Sequence, residues 1–182
     1  VTTSFVVDDF SIAFWVKTTD IMIGGNKRFW NGKGLVSADH EECNDQIGDW
    51  GISLQNTDKA SFGVGGICDE TVDAQSVTPI NDDQWHFVCC TRSGTTGEYK
   101  IYVDDGPAED AQSYIPVLPR KPVPMYLAST HNLPDKFLNG QLDELVFFDH
   151  VLTQAQIDLL RIHGVQIPAK AELIAPPIDA VV

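Results

Sequence analysis

Residues 10–17 read FSIAFWVK. Apolar, β-branched and aromatic side chains alternate there with the period of a strand that has one face in a core. Downstream, residues 18–34 carry Gly24-Gly25, Asn31-Gly32 and Gly34 and read as a long loop. GLVSA (34–38) is a short buried strand, and DHEECNDQIGD (39–49) is an acidic loop. WGISLQ (50–55), a turn at 56–59 and ASFGVGGI (60–67) form a hairpin. A second loop over 68–83 leads to QWHFVCCT (84–91), a glycine-containing turn at 93–97 and EYKIYVD (98–104), another hairpin. Pro107, Pro116, Pro119, Pro122 and Pro124 punctuate the next stretch, before strands MYLAS (125–129) and GQLDELVFF (140–148). One helix is expected over 153–162, capped by Thr153, with Ile157, Leu160 and Leu159 facing inward, and stopped by Gly164. Many short strands and one small helix spell an all-β chain: an antiparallel β-sandwich with a short C-terminal helix.

The composition bounds what such a sandwich can do. The 182 residues suit one domain, and 43% hydrophobic residues supply its core. Lys and Arg number 12 against 26 Asp and Glu, a formal net charge of −14. Nucleic acid and anionic membrane surfaces repel that charge, whereas clustered carboxylates suit hard cations such as Ca²⁺. No apolar run approaches the ~18 residues that span a bilayer, so no membrane insertion is expected. The chain opens on Val1, which reads as a module excised from a longer exported protein. The expected division is a sandwich over 1–165 and a Pro-containing tail over 166–182. That tail is either a closing strand or a linker to flanking modules.

Three segments, in order, resemble the laminin G-like branch of the concanavalin A-like lectins. They are FSIAFWVKT (10–18), NDDQWHFVCCTRSGTTGEYKIYVDDG (81–106) and FLNGQLDELVFFDHVLTQAQI (137–157). The likeness implies a jelly-roll sandwich and is shared with pentraxins. It also implies an extra strand before residue 10, which the tail from Ala169 offers to supply. Lectins, adhesive receptor domains and polysaccharide-cleaving enzymes all use this fold, so fold alone does not decide among them. Trp15 and Trp85, on alternating strands, are expected in the core. Asp143 and Glu144 fall on opposite faces of one strand, where they cannot act as a glycosidase pair. They either bond to neighbouring backbone or face a cation, which makes Asp143 a candidate for a separate structural metal site.

The remaining chemistry lies in the acidic loops. Four cysteines allow three full pairings. Cys43 and Cys68 flank the first hairpin and are expected to bond, which calls for an oxidising compartment; four reduced thiols are the alternative. Cys89 and Cys90 point to opposite faces, with Cys89 a buried thiol. Ligand-binding candidates are Asp39, His40, Glu41, Asn44, Asp45, Asp49, Trp50, Asp69 and Glu70. Asp39, Asn44, Asp45 and Asp49 are also the calcium candidates, because Ca²⁺ takes 6–8 oxygens. A plain solvated charge run is the competing reading. The sequence thus points to a secreted or cell-surface, Ca²⁺-assisted, carbohydrate-binding module of a surface adhesin or multimodular secreted protein. Its partner would be a glycan or polysaccharide on a host or neighbouring cell. The alternative is a structural or protein-interaction module, and a polysaccharide-cleaving enzyme comes third.

Overall fold

The computed structural model describes residues 2–3, 8–23, 28–39, 50–55, 58–64, 72–114, 123–130 and 134–164. The strands are β1 (Thr2–Thr3), β2 (Phe10–Thr18), β3 (Lys33–Ala38), β4 (Trp50–Gln55), β5 (Lys59–Val64) and β6 (Ala74–Pro79). They continue with β7 (His86–Arg92), β8 (Glu98–Val103), β9 (Asp110–Ser113), β10 (Val123–Pro124), β11 (Tyr126–Leu127) and β12 (Gly140–Phe148), before helix α1 (Gln154–His163). Two antiparallel five-stranded sheets stack as a jelly-roll sandwich: β12-β2-β7-β8-β9 and β11-β3-β4-β5-β6.

The alternation of β2 separates two cores. Phe10, Ile12, Phe14 and Val16 point between the sheets, where they meet Leu35, Trp50, Ile52, Phe62 and Ile101. Ala13 and the half-buried Trp15 point outward and pack with Phe87, Cys89, Tyr102, Leu152 and Ile157 beneath α1. The helix starts on a capping box. The Thr153 side chain accepts from the Gln156 backbone N–H, and the Gln156 side chain accepts from the Thr153 backbone N–H. It ends at Gly164, whose φ of 64° a side chain would disfavour.

The structure corrects several expectations. The 68–83 segment is not all loop: β6 pairs with β5. The inward residues of β6 are only Ala74 and Ser76, while Val77 is exposed, so no apolar alternation marks it. Its backbone N–H groups are met by side chains of the other sheet's edge. Gln75 N donates to Asp110 at 3.0 Å, and Val77 N and Thr78 N donate to Glu109 at 2.7 and 3.0 Å. The proline-punctuated stretch likewise holds β9 and β10. The 18–34 loop contains a short 3₁₀ turn, Phe29–Asn31, with Phe29 fully buried. Leu159 is 58% exposed rather than inward. The strand expected over 125–129 shrinks to Tyr126–Leu127, ended by Ala128 at φ 55°. An N-terminal strand does precede residue 10, because β1 pairs with β10; the tail from 165 onward lies outside the described residues.

Candidate functional site

The β3–β4 and β5–β6 connections leave the same end of one sheet. Ala38 pairs with Trp50, and Trp50 with Val64. Two inter-strand spacings of ~4.8 Å therefore set the roots of the two acidic loops about 10 Å apart. Of the expected ligand residues, His40, Glu41, Asn44, Asp45, Asp49, Asp69 and Glu70 lie outside the described residues, as do Cys43 and Cys68.

Asp39 directly follows β3 and is 4% exposed; Asp73 directly precedes β6 and is also buried. The Ser61 hydroxyl donates to Asp73 Oδ2 at 3.1 Å. Burial pushes the Asp73 carboxyl up to about 7, and the nearby Asp39 charge adds to this, while Ser61 and Arg28 pull the other way. Phe29 lies across Gly51 and Gly63, where a Cβ on either glycine would collide with its ring. The rim thus rests on two buried carboxylates and an aromatic plug.

Trp50 cannot meet a ligand, contrary to its expected role as a sugar contact. It is fully buried, 5.8 Å from the Phe10 ring and 6.4 Å from Phe147. Trp85 departs in the opposite sense. Expected in the core, it is 41% exposed, lying just before β7 rather than within it. Asp143 and Glu144 are both exposed, at a β-bulge between Asp143 and Val146 with Glu144 at φ 49°. Asp143 Oδ1 accepts from the Glu144 backbone N–H at 2.8 Å. Among the described residues no three His, Cys, Asp or Glu side chains converge as a metal set. Cys89 and Cys90 are buried free thiols, one in each core.

At the far end of β2, His86 sits between two carboxylates. Its Nδ1 is 2.8 Å from Asp104 Oδ2 and its Nε2 is 2.9 Å from Asp82 Oδ1. Burial opposes its charge, but those two hydrogen bonds outweigh burial and raise its pKa. The clasp ties the 82–84 turn to the end of β8 and, with both nitrogens committed, reads as structural.

A laminin G family model described as the concanavalin A-like lectin/glucanases superfamily matches residues 2–158. The chain belongs to that superfamily. No curated protein matches the sequence. Among solved structures, a heptameric SAP-like pentraxin from Limulus polyphemus is 14% identical with a TM-score of 0.59, covering 84% of this chain and 69% of the pentraxin. Domain 4 of AbnA, an extracellular arabinanase from Geobacillus stearothermophilus solved with arabinotriose, is 17% identical with a TM-score of 0.60. That match covers 85% of this chain and 66% of the other. Mouse laminin α1 domains LG4-5 are 12% identical with a TM-score of 0.56, covering 81% of this chain and 37% of theirs. At such identities the likeness shows the jelly-roll fold. Among the described residues, no helix of this laminin G-like chain is long and apolar enough to cross a membrane.

Proposed function

We propose that this laminin G-like chain is a non-enzymatic, extracellular carbohydrate-binding module that takes a glycan at the rim formed by loops 40–49 and 65–71. One observation carries the reading: the Ala38–Trp50–Val64 register places the roots of both acidic loops side by side. The arabinotriose held by the arabinanase domain is support from likeness of fold. Hard oxygen donors are the right chemistry for Ca²⁺. Asp39, Asn44, Asp45 and Asp49 are the proposed ligands, and Asp73 is buried near Asp39. The ion would order the loops and offer coordination sites to sugar hydroxyls. A Cys43–Cys68 bond would clasp the loops, as an oxidising compartment allows. The proposed setting is a surface adhesin or a multimodular secreted protein.

A glycan array probed with calcium, and again with EDTA, tests the reading. Binding to defined sugars that vanishes in EDTA supports it. Binding to no sugar under either condition favours a protein-interaction module, a use compatible with likeness of fold to the botulinum neurotoxin DC binding domain solved in complex with rat synaptotagmin II.

A further inference from the structure

The two loop roots of the rim are held by different means. The first belongs to a regular ladder, in which Ala38 pairs with Trp50 inside one sheet. The second does not. Strand β6 meets β5 through Phe62–Ala74 and Ser61–Gln75, and the register then jumps to Lys59–Pro79. Across the jump the Ala60 N–H donates to the Ser76 side-chain oxygen at 2.9 Å, a side-chain substitute for a ladder bond. Apolar burial adds little. Ala74 is the one hydrophobic residue that β6 turns inward, and Val72 and Val77 are exposed.

The strand is fixed instead from the opposite sheet. The Tyr99 hydroxyl donates to the Val72 carbonyl, and Asp110 Oδ2 accepts from the Gln75 N–H at 3.0 Å. The Tyr99 ring packs edge-on against Phe62 at 5.7 Å. Burial and the nearby Asp73 charge raise its pKa, so the hydroxyl stays a donor. Asp110 is braced in turn, since its Oδ1 accepts from the Ala111 N–H at 2.7 Å.

Position separates these two contacts from a plain seam between sheets. Glu109 closes the seam farther along, where it accepts from the Val77 and Thr78 N–H groups. Tyr99 and Asp110 act at 72 and 75, on either side of Asp73. The Asp73 carboxylate lies over Gly63, where a Cβ would meet its Oδ1, and within electrostatic reach of Asp39. Releasing either contact frees the backbone that carries this carboxylate and the root of the 65–71 loop.

We propose that Tyr99 and Asp110 are positioning residues of the acidic rim, which from the opposite sheet hold residues 72–75 in register with the Asp39 root. This rests on the rim reading given above. It makes the packing of the two sheets, and not the ladder of one, the determinant of how far apart the two loops stand.

The test combines hydrogen exchange in EDTA with calorimetric titration by calcium chloride, on wild type, Tyr99→Phe, Asp110→Ala, Asp110→Asn and Glu109→Ala. Tyr99→Phe keeps the ring and removes only the hydroxyl. The Gln75 amide should exchange about fivefold faster in Tyr99→Phe, the size of one hydrogen bond, and faster still in Asp110→Ala. Calcium affinity should fall about fivefold in both, as the competent root becomes less populated. Asp110→Asn, which retains an acceptor oxygen, should recover most of the loss. Glu109→Ala should speed exchange at Val77 and Thr78 while its calcium affinity stays within about twofold of wild type. Wild-type calcium affinity in Tyr99→Phe and Asp110→Ala, with lowered melting temperatures, makes both residues merely structural and overturns the proposal. Unchanged Gln75 exchange in both overturns it too. A wild type that takes up no calcium overturns the rim reading itself, and this proposal with it.

Discussion

Asp73 gives the molecule a pH dependence whose sign is fixed by its burial. Its folded-state carboxyl titrates at about 7, against 3.8 for an ordinary aspartate. Between those values the native protein holds a proton that the unfolded chain has released, so stability falls as pH rises through that window and levels off above it. The full effect is a few kcal/mol, ~4 at most. His86 acts in the adjoining window. Its pKa is raised in the fold, so its contribution is complete below about 6.5 and is lost as pH rises through the folded value. Asp73→Asn should flatten the melting temperature between pH 4.5 and 7 (roughly the interval between the two carboxyl values) and raise it at pH 8. Parallel melting curves for wild type and variant would show that Asp73 does not set this dependence.

The two tryptophans that depart from expectation make a paired prediction. Trp50→Ala should cost ~3–5 kcal/mol through the cavity it leaves in the core. Trp85→Ala should cost under ~2 kcal/mol, since a side chain 41% exposed forfeits only part of its burial. Urea denaturation of both variants measures the contrast, and equal costs would place Trp85 in the core after all.

At the scale of elements, the 29–31 turn and the sheet beneath it should behave as one packed unit. A Cβ at Gly51 would strike the Phe29 ring. Gly51→Ala should therefore cost ~1–3 kcal/mol, and the cost should shrink in a Phe29→Ala background, a coupling that a double-mutant cycle reads directly. The helix permits a simpler check: Thr153→Ala should remove about 1 kcal/mol with the capping box.

Legibility in the sequence obeys the same physics. Strand β2 and helix α1 are readable because burial imposes a period on them, and the helix carries its own cap and stop. Strands β6 and β9 are not. Only small residues of β6 face inward, and its backbone donors are met by Asp110 and Glu109, contacts between residues more than 30 positions apart. Trp85 escapes a sequence reading because alternation tells which face a side chain takes, not whether anything covers that face. Trp50 misleads because its position beside an acidic loop competes with the apolar pattern of WGISLQ. The loops themselves have no periodicity to read, so composition is the only guide to their chemistry.

At the scale of the whole molecule, two stacked sheets hold loop roots at one end and the His86 clasp at the other. The proposed Cys43–Cys68 bond belongs to the first end. Peptide mapping without reduction should find it, and native-state alkylation should leave Cys89 and Cys90 untouched, because both thiols are buried and burial raises their pKa. A bond from Cys43 or Cys68 to either strand cysteine would refute the clasp.

Whether the acidic rim takes a glycan with the help of calcium is decided by calorimetry. Wild type, Asp45→Ala and Asp49→Ala are titrated with the best glycan-array ligand, in calcium and then in EDTA. Wild type should bind only in calcium, and both variants should lose binding while keeping the wild-type melting temperature in EDTA. Wild-type affinity surviving both substitutions and the chelator would contradict a calcium-dependent rim.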